Sequence, residues 1–145
     1  MMSNNTNRMT TILPRNQSNL LYCISFVGFV TGTIGCFNGK HGLGTIVYIA
    51  ASLGVNYWRK PVYGWRRTLD MTWLQIGILI HCYYAWFTRI RYIYYFIQVN
   101  GVLYYGLSWY FYNKNAMWRS TLCHSVVHLC ANTSLLLLYS NAIYM

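Results

Sequence analysis

Carboxylate side chains are all but missing from this sequence. Asp70 is the single acidic residue against 11 lysines and arginines, and the formal charge is +10. Charge of either sign is scarce as well, at 8% of residues, where a water-soluble domain carries about a quarter. The polar surface that such a domain needs is therefore absent, while 56% hydrophobic residues are more than one small core can hide. A net charge of this sign would suit nucleic acid, yet the basic residues fall in the gaps between apolar runs and not along one face. That placement excludes a nucleic-acid partner and matches the positive loops of a membrane protein.

Other signals are missing too. The cysteines Cys23, Cys36, Cys82, Cys123 and Cys130 form no CxxC pair, no zinc-finger spacing and no even disulfide framework. They read as free thiols in or beside apolar runs. There is no glycine-rich phosphate loop, no nucleophile elbow and no EF-hand.

What is present is a series of apolar runs. The pattern predicts an all-α, polytopic membrane protein with five transmembrane helices in one bundle (residues 20–145), preceded by a polar, disordered tail over residues 1–19. The tail is too polar to open a cleavable signal peptide, so the first span reads as retained. Spans are expected at 20–37, 43–58, 70–87, 92–112 and 117–139. Gly28, Gly32 and Gly35 give the first span a small-residue face on which another helix, or a second copy of the chain, can pack closely. Tyr57, Trp58, Trp65, Trp109, Tyr110, Tyr112 and Trp118 cluster at run ends, as in interfacial aromatic belts. The most distinctive loop is Trp58 to Asp70, WRKPVYGWRRTLD, with Pro61 and Gly64 as turn residues. Thr68 is expected to cap the following helix, with Asp70 in its first turn beside Arg66 and Arg67. Arg8, Arg15, Arg59, Lys60, Arg66, Arg67, Lys114 and Arg119 share one side of such a bundle, and Lys40, Arg89 and Arg91 the other. The positive-inside rule then makes the N-terminus cytoplasmic and puts the C-terminus on the opposite side of an integral membrane protein.

The last span, MWRSTLCHSVVHLCANTSLLLLY, carries the chemistry. His124 and His128 are four residues apart and share a helix face, with Ser120 one turn before and Asn132 one turn after. Imidazoles at membrane depth need a protein interior, a partner or an ion. His81 lies eleven residues beyond Asp70 and His128 eleven beyond Met117, so equal helix starts would put the two rings at one depth. Asp70, Leu74, Gly77 and His81 share a face. Three imidazoles with one open position make a catalytic zinc site in other folds, and a nearby carboxylate can move a proton of the bound water. On that reading His81, His124 and His128 are metal ligands, Asp70 acts in proton transfer, and Ser52 orients water or substrate.

The order of Ser52, Asp70 eighteen residues on, and the late HxxxH of His124 and His128 resembles the CREST superfamily of membrane-embedded, zinc-dependent enzymes, which includes alkaline ceramidases and adiponectin-receptor-like proteins. The resemblance implies hydrolysis of a lipid amide or ester, with lipid bilayer and lipid substrate as partners. Two departures stand out. Asn56 occupies the place of the motif's first histidine, and about five spans replace seven; His81 is the residue available to supply the absent ligand. The competing readings are a non-catalytic membrane scaffold or assembly protein with structural histidines, and a bis-histidine haem protein that needs His81 opposite one of the pair.

Overall fold

The computed structural model describes residues 11–141 and 143. Its helices are α1 (Arg15–Ser25), α2 (Val27–Phe37), α3 (His41–Trp58), α4 (Trp65–Trp86), α5 (Arg91–Asn113) and α6 (Met117–Tyr139), and the described residues contain no strand. The all-α class is as expected. Two stretches, Arg15–Phe37 and Met117–Tyr139, are long and apolar enough to cross a membrane.

The first of these stretches differs from expectation at both its start and its middle. Residues 1–10 of the expected tail lie outside the described residues, but the helix already begins at Arg15, behind Pro14. Gln17 and Ser18 are buried, and Thr121 Oγ1 on α6 donates to Gln17 Oε1 at 3.0 Å. Polar side chains that bond a neighbouring helix belong in the bundle, whatever their hydropathy. Midway, Ser25 Oγ donates back to the Leu21 carbonyl at 2.9 Å, and Phe26 and Phe29 make tightened i→i+3 bonds. Such back-bonding by a serine bends helices, and α1 gives way to α2 at this point.

α4 starts five residues earlier than expected. Gly64, at φ 141, is the residue that lets the chain turn, and nothing after it interrupts a helix. Thr68 is therefore inside the helix, its hydroxyl on the Gly64 carbonyl at 3.4 Å, and caps nothing. Asp70 falls in the second turn, and the first turn holds no acidic residue. The bounds of α6 are those predicted.

Two core clusters hold the ends of the bundle. At one end Leu13, Leu21, Tyr57 and Trp58 pack together; at the other, Leu43, Val47, Ala85, Tyr94, Leu138 and Tyr139. Tyr57 and Trp58, expected in an interfacial belt, are thus core residues, whereas Trp65 is 69% exposed. α2 packs along α3 and α6 against α5, while α1 and α2 together touch both α3 and α6. α4 leans on α3 but meets α5, its neighbour in sequence, only sparsely. The glycine face of the first span is used inside the chain: a Cβ on Gly28 would come 2.9 Å from that of Ala51, and one on Gly35 would come 2.8 Å from the Tyr139 ring. Beyond α6, Lys40 Nζ and Asn38 Nδ2 donate to the Tyr139 carbonyl at 2.7 and 3.2 Å, closing an orphan helix end. Burial there pulls the Lys40 ammonium below its ordinary pKa.

Candidate functional site

Between the two core clusters the helices enclose a cavity of about 390 Å³. Its wall takes residues from all six helices and is mostly apolar, with Ile46, Val47, Ile78, Val127 and Leu135 among them. The polar stripe of α6 faces it: Ser120, His124, His128 and Asn132 all line the cavity, as do Asp70, Leu74, Gly77 and His81 from the face predicted for α4.

The stripe is tied down at both ends. Ser108 Oγ on α5 donates to the Ser120 carbonyl at 3.0 Å, and Thr31 Oγ1 on α2 donates to Asn132 Oδ1 at 2.6 Å. Asn132 Nδ2 in turn donates to the His128 carbonyl at 2.8 Å. Between these anchors lie the imidazoles. The His124 and His128 ring centroids are 5.3 Å apart, close enough to share one small ligand. Trp58 and His124 pack edge to face with ring centroids 5.2 Å apart, and the Tyr105 ring lies at 6.1 Å. His128 Nε2 is enclosed and has no hydrogen-bond partner among the described residues, which is uncommon enough among buried polar atoms to need a cause.

His81 does not join this pair. A carbonyl only accepts, so Nδ1 donates to the Gly77 carbonyl at 2.7 Å, and in the neutral ring Nε2 accepts from the Tyr139 hydroxyl at 2.8 Å. Both ring nitrogens are used, and the ring is buried at 3% exposure. The early start of α4 is the physical reason. His81 stands sixteen residues into its helix and His128 eleven into its own, a difference of about 7 Å in depth at the α-helical rise. Among the described residues no three His, Cys, Asp or Glu side chains are placed to hold one metal ion. The three imidazoles therefore do not fit a shared zinc ion, whose bonds to nitrogen of about 2.0–2.1 Å leave no such slack.

The other two sequence candidates separate. Ser52 is exposed, donates to the Tyr48 carbonyl at 2.8 Å and is not part of the cavity wall. The buried face of α3 runs Gly44, Val47, Ala51, Gly54 and Trp58, and Ser52 lies off it. Asn56, the other polar residue of that helix, accepts from Arg66 through its carbonyl at 3.4 Å. Asp70 does line the cavity and is only 4% exposed. Among the described residues it forms neither a pair with Arg66 or Arg67, which stand beside it in sequence, nor any hydrogen bond. It and Ser25 both face Gly54, where an added Cβ would lie 3.3 Å from Ser25 Oγ and 3.7 Å from Asp70 Oδ1.

Ser25, in the cavity wall, and Tyr139, which bonds His81 from behind it, are the residues that sequence reasoning misses. The spacing of small residues on α3 would have pointed to the face that excludes Ser52; nothing local could have pointed to Tyr139, fifty-eight residues from His81. Comparison of the chain with protein-family models, curated proteins and solved structures finds no match.

Proposed function

We propose that this is a polytopic integral membrane protein that takes a lipid-like molecule into the cavity between its helices. The outward surface supports the membrane setting. Leu79, Phe96 and Leu103 are 71%, 70% and 61% exposed on α4 and α5, a patterning suited to a hydrocarbon solvent and not to water. The scarcity of charge and the basic gaps between helices agree with it, with the α3–α4 turn on the cytoplasmic side.

The observation that carries the binding reading is the cavity itself. It has the size and the mostly apolar wall of a small-molecule site, with a few polar groups that fix orientation. It is weakly closed between α4 and α5, where the wall residues Ile78 and Val102 are also 46% and 68% exposed. α4 spends its glycine on α3, at Ile46, and α5 spends Gly101 on α6, at Cys130, so no pair of small residues draws α4 and α5 together. A lipid chain at that depth has a lateral way in.

A second reading, hydrolysis of a lipid amide or ester, is favoured by one observation: among the described residues neither Asp70 nor His128 Nε2 has a hydrogen-bond partner, and both residues line the cavity. Zinc on the expected trio is no part of it. The scaffold reading draws on the many hydrogen bonds between helices and accounts for His81, but leaves the cavity without a purpose. Extraction of purified protein followed by mass spectrometry tests the proposal, which expects about one long-chain molecule per chain to persist through detergent exchange. Protein that retains none while staying folded would refute it.

A further inference from the structure

At the end of the cavity where α3 gives way to α4, a single cation enters the wall. Arg67 is the only lysine or arginine among the described residues that line it. Its guanidinium carbon lies 5.4 Å from the centroid of the Tyr63 ring, and it interacts with the Tyr57 hydroxyl. Tyr112 interacts with both Tyr63 and Arg67, and all four residues belong to the cavity wall. The adjacent Arg66 points elsewhere, to the Asn56 carbonyl, and is not in the wall.

Among the described residues the charge of Arg67 has no carboxylate partner. Asp70 is the only acidic residue of the chain and makes no ion pair with it. It sits one turn further in, facing Gly54. A planar guanidinium held over a ring and flanked by phenols is preorganised for an anion's oxygen atoms. Inward from Arg67 the α4 wall continues through Leu74 and Ile78 to His81, fourteen residues and about 21 Å away.

Resting on the lipid-binding reading, we propose that the cavity takes an amphiphile with one anionic head and one long chain. The head lies on Arg67 among Tyr57, Tyr63 and Tyr112, and the chain runs inward toward His81. A carboxylate and a phosphate monoester share this chemistry.

The full chain in phosphatidylcholine nanodiscs decides it, with three probes of equal length: hexadecanoate, hexadecyl phosphate and hexadecanol. The wild-type protein should bind at least one of the two anions about tenfold more tightly than the alcohol, the scale of one charge-assisted contact. Whichever anion is preferred identifies the head group. Arg67→Gln should abolish the preference and leave hexadecanol binding unchanged, and Arg66→Gln should alter neither. Hexadecanol binding also reports that the variant is folded. An anion preference that survives in Arg67→Gln, or one absent from the wild-type protein while hexadecanol binds, would overturn the Arg67 site and spare the lipid reading. Failure of all three probes to bind the wild-type protein would overturn both.

Discussion

Two histidine environments lie on one cavity wall and are built on opposite terms. Around His81 every polar atom is accounted for: one ring nitrogen is on the Gly77 carbonyl, the other on the Tyr139 hydroxyl, and Tyr139 is itself 1% exposed in a core cluster. Around His128 the account stays open, with Nε2 enclosed and unpartnered and a second imidazole against it. Burial alone does not distinguish them. What does is whether the chain supplies the partner, and the site where it does not is the one where a ligand can contribute.

The strongest way to break the comparison is at the satisfied end. His81→Ala removes two buried hydrogen bonds and opens a void, and should cost about 3 kcal/mol of stability. Unfolding in mixed micelles measures it; a loss near zero would mean that His81 is not structural. Tyr139→Phe keeps the ring and orphans His81 Nε2, for about 1 kcal/mol, since hydrogen bonds between membrane helices are modest. Together with His81→Ala it forms a cycle: once His81 is gone, the tyrosine change should cost much less.

At the open end the expected effects are smaller and their sign differs. Asp70→Asn relieves a buried, unpaired carboxyl and should shift stability by about 1 kcal/mol or less, toward the folded state. If the hydrolytic reading holds, the same variant stays folded and loses lipid amide or ester turnover. His128→Leu replaces an unpartnered ring by an apolar side chain and should fall within about 0.5 kcal/mol of wild type. A cost as large as that of His81→Ala would erase the contrast between the two histidines.

The sequence made much of this legible and concealed the rest for identifiable reasons. The bounds of α6 and the inward face Ser120, His124, His128 and Asn132 followed from period 3.6 alone. So did the shared face of Asp70, Gly77 and His81 on α4. The error was one of registry between helices. Charge in Arg66 and Arg67 suggested loop, yet Gly64 sets the start of α4, and the resulting shift of five residues separates His81 from the pair on α6. The motif position points to Ser52, whereas the small residues of α3 define a face one residue away. Polarity points to a tail for Gln17 and Ser18, although Thr121 on α6 gives Gln17 a partner that local composition cannot reveal. Pairings such as His81 with Tyr139 depend on how two helices slide past each other, and no single stretch encodes that.

Native mass spectrometry of the full chain released from nanodiscs tests the central claim, that the cavity holds a lipid-like molecule, most directly. Ala131 lines the cavity one turn beyond His128, and Ala131→Trp fills that space from a helix position that packing does not seal. Wild-type protein should carry about one long-chain adduct and the tryptophan variant, equally stable, none. Equal adducts on both proteins would place bound lipid on the outer surface and contradict the claim.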